Sequence, residues 1–516
     1  MLPGRWAREH GGRSVSLVTA PRDAPRRRGP GRALRNFSAL LSADLVGKLV
    51  AVGLVSFYAR SLPGASLAFL PLYEMIGMLT VLASSFGMVP TLVRRLPALR
   101  QSDPQQARAL SATAYRIPLV ATTVLALGVA LLADRLLPIL PEAEHPSQLV
   151  RIMCLGFPAL AARRTSDAIL WAAGRFPSMA RVDLTRTLGS VAALLLYLHA
   201  GLEGLLLGFA LRDWTAAGVS RWIARDLLRG PRGAAYPPLR LIREARAYYA
   251  EAFVLYLRGQ ADRWVVASFL GPAALATYYV ADRLTTFIQG AFQAADRVIT
   301  TGVVGRSHDL AEVERHLNRL FLLFSQTVVP GICITAGLAP TLIVLLGGDA
   351  HRPAVVPAVL LLLATLTHFV QQPLARAVFA VRSPRERLVL SLVESVMLVG
   401  ALALLTGPLG MIGAALARVV AGAAATAYAW RAVRRFARGA FPARALGVST
   451  AAGLAATGLL YAAQQVQPAL LAVPFEALGA VLVFLVVDAL FNRSALEQAV
   501  REIRPEWRSR GTRNPA

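Results

Sequence analysis

The chain has 516 residues, 55% of them hydrophobic and only 16% charged, where an average soluble protein carries about 25% charged residues. With a mean hydropathy of +0.52 it excludes an ordinary soluble domain and favours a chain that crosses a bilayer repeatedly. The formal charge of +26 does not mark a nucleic-acid-binding protein, because the basic residues cluster between apolar runs rather than on one soluble face.

Residues 1–36 form an Arg-rich tail with Gly and Pro and no apolar stretch of the kind a signal peptide needs, so they read as a disordered cytoplasmic segment. Fourteen candidate spans follow: 37–59, 66–92, 112–133, 149–173, 182–200, 203–224, 248–269, 273–297, 320–346, 354–379, 388–406, 410–430, 445–465 and 470–491. Charge tests this division. With residues at the span ends counted in the segment they border, the inner segments hold 43 of the 55 Lys and Arg, and the outer loops hold 4. Cytoplasmic segments are enriched in this way, which places both termini in the cytoplasm.

Three landmarks recur at a nearly constant offset. Leu62-Pro63-Gly64 resembles Leu270-Gly271-Pro272, Arg175-Phe176-Pro177 resembles Arg382-Ser383-Pro384, and Gly201, Gly204 and Arg212 resemble Gly407, Gly410 and Arg418. The repeat contains six helices, an even number, so both copies enter from the same side. The expected fold is an all-α integral membrane protein of about fourteen helices. It divides into a six-helix bundle over 37–228, a cytoplasmic linker over 229–247, and a parallel second bundle over 248–435. Two further helices lie within 436–492, and a basic tail covers 493–516.

Eight cations fall inside the spans: Lys48, Arg163, Arg164, Arg212, Arg258, Arg263, Arg283 and Arg418. A charge at the centre of a membrane helix costs roughly 2.5–3.5 kcal/mol on insertion scales, so its presence points to a functional path. Asp44/Lys48, Arg163/Asp167 and Arg258/Asp262 are spaced i, i+4, where opposite charges on one helix can neutralise each other. The opening helices of each repeat carry more charges than such pairing requires. Lys48, Arg258, Arg263, Arg283, Arg212 and Arg418 are therefore the candidate cavity residues, and an Arg-rich cavity suits an anion, because guanidinium binds phosphate oxygens bidentately. Glu74, Asp262 and Asp282 are candidates for coupling to H⁺ or Na⁺, or for binding a drug-type cation. Cys154 and Cys333 lie in apolar runs and suggest neither a disulfide nor a metal, and Gly47-Lys48 lacks the context of a nucleotide loop. No cofactor is expected.

With the turn Ser61-Leu62-Pro63-Gly64, the segments Ser85-Phe86-Gly87 and Leu92-Val93-Arg94, and the Gly201/Gly204 and Gly407/Gly410 turns in a six-plus-six repeat, the chain resembles the multidrug/oligosaccharidyl-lipid/polysaccharide (MOP) exporter superfamily. Within it, the closest likeness is to the Wzx-type flippases of surface polysaccharide and O-antigen synthesis. The resemblance implies that a polyprenyl-pyrophosphate-linked oligosaccharide moves to the outer leaflet by alternating access driven by an ion gradient. It implies pyrophosphate contacts from Lys48, Arg258 and Arg263, contact with membrane lipids and polysaccharide polymerase machinery, and a monomer. Alternatives are a peptidoglycan lipid-precursor flippase or a drug/cation antiporter of the same superfamily, and further off an integral-membrane glycosyltransferase or polymerase. An enzyme of that kind needs catalytic groups on outer loops that here carry few charges.

Overall fold

The computed structural model describes residues 47–135, 145–229, 236–304, 310–381, 384–437, 443–466 and 477–486. Both expected tails, and Asp44, lie outside them. Among the described residues every regular element is helical, as a bilayer demands of a chain that must satisfy its backbone polar groups internally without closing a barrel. Helix α1 is described from 47 to 61. It is followed by α2 (Phe69–Ser85), α3 (Met88–Ser102), α4 (Pro104–Leu131), α5 (Pro146–Ala172) and α6 (Phe176–Ile223). After the linker come α7 (Pro238–Val265), α8 (Pro272–Val304), α9 (Leu310–Gly337), α10 (Ala339–Gly347), α11 (Val355–Val381), α12 (Pro384–Val433) and α13 (Ala443–Val466). Six helices among the described residues are long and apolar enough to cross a membrane. Helices α5, α7 and α8 carry the charges that keep them off that count.

Local chemistry sets several boundaries. Asp103 caps α4 by accepting from the amides of Gln105 and Gln106 at 3.0 and 2.9 Å, and Pro104 supplies the first helical residue. Inside the spans, several hydroxyls donate to the carbonyl four residues back, as Thr80 does to Ile76 and Thr165 to Ala161, which keeps those protons from facing hydrocarbon. On α4, Val120, Val124, Leu127 and Leu131 are at least 60% exposed and share one face. A continuous apolar stripe of that kind is lipid-facing in a protein of this composition. The apolar stretch of α4 is 28% buried, against 67% for that of α2, which places α2 at the centre and α4 at the rim.

The two long helices, α6 and α12, are each a pair of spans joined by a reversal. Gly201 has φ +56°, ψ −140°, and Gly410 has φ +57°, ψ −134°. Both lie in the positive-φ region that glycine enters without penalty. The same conformation at both sites corrects the expected register, since Gly201 corresponds to Gly410 and not to Gly407. Arg212 then follows its kink by eleven residues and Arg418 follows its own by eight, so the two arginines stand one helical turn apart rather than at equivalent positions.

The expected span 66–92 is also broken. Helix α2 stops at Ser85, Phe86 (φ +46°) and Gly87 (φ +74°) turn left-handed, and α3 begins at Met88. The cause is a close approach. A Cβ at Gly87 would lie 2.6 Å from the Ala245 carbonyl oxygen and 2.8 Å from the Tyr249 amide nitrogen, both on the backbone of α7. Arg95 binds Glu244 and donates to the Tyr236 hydroxyl at 3.1 Å in the same region. Helix α7 itself begins at Pro238, so the end of the expected linker is helical and continuous with the seventh span.

At the other end of the molecule, Arg60 of α1 donates to the carbonyls of Val344 and Leu345 at 3.2 and 2.6 Å, and Ser56 donates to Leu345 at 3.1 Å. These carbonyls lie in the last turn of α10, where a cation is favourable. The early and late helices therefore meet at both ends.

Gly87→Ala is expected to lower the melting temperature of the purified protein, because the left-handed backbone alone costs roughly 1–2 kcal/mol with a Cβ and the clash adds to it. Gly53→Ala, with nothing within 4 Å of the added carbon, should leave the temperature unchanged or raise it slightly.

Candidate functional site

Between those two contacts lies a network of charged side chains. Glu74 sits near the middle of α2 and faces α8, where it binds Arg283, and it also lies 3.5 Å from Arg263 of α7. Arg263 pairs with Asp282 of α8 and donates to Gln260 at 3.1 Å. Arg258 donates to Glu394 of α12 at 3.0 Å, and Gln371 of α11 donates to the same carboxylate at 2.8 Å. Arg418 reaches Asp262 at 2.6 Å and the Gly259 carbonyl at 2.9 Å, while the buried Tyr278 hydroxyl donates to Asp262 at 2.6 Å. The Arg283 guanidinium also lies over the Tyr279 ring, 4.4 Å from its centroid.

Arg258 and Asp262, one turn apart on α7, do not pair with each other, contrary to the self-neutralising possibility that their spacing raised. Each takes a partner on α12 instead. The four arginines of this set, 258, 263, 283 and 418, meet four carboxylates, those of Glu74, Asp262, Asp282 and Glu394. The set is electrically balanced, as pairing in a low-dielectric interior requires.

Arg212 stands apart from it. It pairs with its neighbour Asp213 at 3.0 Å, and its guanidinium lies 4.6 Å from the centroid of Phe209. Asp213 is fully buried and accepts from the Tyr73 hydroxyl of α2 at 2.8 Å. Each half thus holds a buried Tyr–Asp–Arg triad: Tyr73, Asp213 and Arg212 in one, Tyr278, Asp262 and Arg418 in the other. Lys48 is half-buried on α1, and its neighbour Gly47 packs against Thr187 of α6. Arg163 and Asp167 do form the i, i+4 pair, at 3.0 Å.

Four participants were not among the candidate site residues. Glu394 was one acid among several, and only the fold reveals that α7 and α12 pack together. Arg186, 3.9 Å from Asp213, was counted as an inner flank. Tyr73 and Tyr278 carry no charge, and a buried tyrosine in an apolar run gives no signal beyond its need for a hydroxyl partner.

Outside the spans, Arg175 binds Asp226 through two hydrogen bonds, one of 2.8 Å, and these hold the Asp226 carboxyl below the usual carboxylate range. The stability this contact contributes is therefore full at neutral pH and is lost only as pH falls through that depressed value. A cavity of about 200 Å³ opens beside it, lined by Leu96, Arg100, Pro104, Arg108 and Asp226 among others, away from the charge network.

Long apolar helices around a paired polar interior define a multi-pass membrane protein, and its fold is similar to that of several solved membrane proteins. The structure is similar to the lipid II flippase MurJ in an inward closed conformation at a TM-score of 0.70 and 14% identity, over 89% of this chain and 99% of that one. It is similar to an outward-facing multidrug resistance MATE family transporter of the MOP superfamily (TM-score 0.55, 14% identity, 80% and 97% covered). A third likeness is to the Vibrio cholerae MATE transporter VcmN in its bent form (0.54, 14%, 80% and 98%). No curated protein matches the sequence. A family model described as polysaccharide biosynthesis protein matches residues 59–356, and the chain belongs to that family. The resemblance drawn from the sequence to polysaccharide flippases of the MOP superfamily agrees with both the family and the fold.

Asp213→Ala is expected to cost roughly 3–5 kcal/mol, because it leaves Arg212 buried without its partner. The same measurement, thermal unfolding in detergent, should detect less than about 1 kcal/mol for Asp226→Asn, whose ion pair is exposed.

Proposed function

We propose that the chain is a flippase that moves a polyprenyl-pyrophosphate-linked oligosaccharide from the cytoplasmic to the outer leaflet of a bacterial inner membrane for surface polysaccharide synthesis. It works by alternating access between a bundle at 37–228 and a bundle at 248–435. The fourteen-span topology with both termini in the cytoplasm belongs to this reading. The observation that carries it is the ion pairing across the two halves in the middle of the molecule, Glu74 with Arg283 and Arg263, in a chain of the polysaccharide biosynthesis family.

Alternating access separates the halves, and separation parts Glu74 from both arginines. A buried charge left alone is strongly unfavourable, so the opened state must supply replacements. The diphosphate of the lipid carrier provides anionic oxygens for Arg263 and Arg283, which guanidinium groups bind in a bidentate manner. A proton or Na⁺ on Glu74 neutralises the other side, and this couples transport to an ion gradient. Asp262 and Asp282 keep their partners within the second half, so Glu74 is the coupling residue of the three candidates. Arg258 and Arg418 hold α7 to α12 and keep that half rigid. The single chain supplies both halves and acts as a monomer, handing glycan to polymerase machinery beyond the membrane.

Depletion of the protein in its cell is expected to cause a polyprenyl-pyrophosphate oligosaccharide to accumulate, seen by mass spectrometry of extracted lipids and shielded from reagents added outside. Glu74→Gln and Arg283→Gln should each fail to reverse the accumulation while inserting normally. Sensitivity to cationic dyes with no change in any lipid-linked glycan would instead establish a drug/cation antiporter, and accumulation of the peptidoglycan precursor would establish a flippase for that lipid.

A further inference from the structure

In the first half, four guanidinium groups gather around two carboxylates. Arg163 pairs with Asp167 at 3.0 Å, Arg212 with Asp213 at 3.0 Å, and Arg186 lies 3.9 Å from Asp213. Arg163 and Arg164 are neighbours on α5, and Arg186 and Arg212 both approach Asp213; Glu74, whose ion pairs are with Arg263 and Arg283, also lies within electrostatic reach of Arg186 and Arg212. Arg164 projects from α5 onto the thioether of Met78, and among the described residues no carboxylate lies within ion-pair distance of it. The Nε–H of Arg163 is buried without a partner. The set carries two positive charges more than it has carboxylates to meet, in contrast to the balanced set around α7 and α8.

An uncompensated positive excess beside buried side chains is unfavourable unless an anion completes it. The side chains of Arg186 and Asp167 remain 44% and 21% exposed, which leaves a way in. By the expected span 182–200, Arg186 stands four residues, about 6 Å, inside the inner end of that span, on a helix that begins earlier, at Phe176. That is the depth at which a lipid headgroup of the inner leaflet meets the protein.

We propose that Arg163, Arg164, Arg186 and Arg212 form an entry site for the diphosphate of the lipid carrier, occupied while the two halves are still locked together. The site rests on the flippase reading for the source of its ligand but is separate from the Glu74–Arg283 pair. Arg164 and Arg186 supply the free charge, and Arg163 and Arg212 supply N–H groups oriented by their aspartates.

The test is equilibrium binding to the full-length protein in nanodiscs, with three probes: polyprenyl diphosphate, inorganic pyrophosphate and neutral polyprenol. Wild type should bind the diphosphate lipid, and Arg164→Gln and Arg186→Gln should each weaken it about tenfold, as expected for loss of a charge-assisted contact. Arg164→Lys should restore only part of the loss, since lysine lacks the planar fork. Arg151→Gln, which breaks an exposed ion pair with Asp134 elsewhere, should change binding less than threefold. Normal melting of each variant without ligand separates loss of the site from loss of the fold, and a variant that fails it is replaced by a lysine at the same position.

Undiminished lipid binding in both Arg164→Gln and Arg186→Gln overturns the entry site and leaves the flippase reading standing. Binding of inorganic pyrophosphate alone, lost in the same variants, keeps the anion site and removes the lipid as its source. Wild type that binds neither diphosphate removes both.

Discussion

Everything central in this molecule follows from the difficulty of keeping a charge in an apolar interior. A guanidinium at membrane depth cannot simply lose its proton, so it must find a counter-ion, an aromatic face or water. The chain answers with pairs drawn from different helices: Arg258 with Glu394, Arg418 with Asp262, Arg263 with Asp282, Arg283 with Glu74. The first three tie helices of the second half together. The fourth crosses between halves, so the rule that makes the others structural makes this one breakable only in exchange for new partners.

The contacts at the two ends differ in kind from those in the middle. Near Gly87 the halves meet backbone to backbone, and near Arg60 a cation meets helix-terminal carbonyls. Arg60 is exposed and Arg95 is 42% exposed, so water can replace the hydrogen bonds lost at either end. In the middle, the side chains of Arg263 and Arg283 are 9% and 20% exposed. Under the proposed alternating access, the ends would open at small cost while the centre selects what parts it.

Much of the helix plan was legible in the sequence, because it rests on local properties. Hydropathy located the spans 112–133 and 354–379, which fall on α4 and α11, and Gly and Pro marked the turns. The register of the repeat was less legible, for a specific reason. Gly201-Leu202-Glu203-Gly204 can be laid on either half of Gly407-Pro408-Leu409-Gly410-Met411-Ile412-Gly413, and spacing alone cannot choose. Only the positive φ of Gly201 and Gly410 decides it. The break at Gly87 was hidden because nothing near it in sequence demands it; the demand comes from the backbone of Ala245 and Tyr249, about 160 residues away in the chain.

The charged residues were found by type and missed by partner. Eight cations in apolar runs are visible in any reading, but whether Arg258 meets Asp262 on its own helix or Glu394 on another depends on which faces of α7 and α12 oppose each other. A spacing of i, i+4 offers a pair worth only about 0.2–0.5 kcal/mol on an isolated helix. A cross-helix pair that also binds two elements together outcompetes it whenever the packing brings the second acid close. The same reasoning separates the two clusters. Where helices from the second half converge, acids equal cations and the charges are consumed in holding the fold. Around α5 and α6 the acids run out first, and Arg164 is left resting on Met78. A protein has no structural use for a cation it has not paired, so the excess around α5 and α6 is where an outside anion has the most to offer.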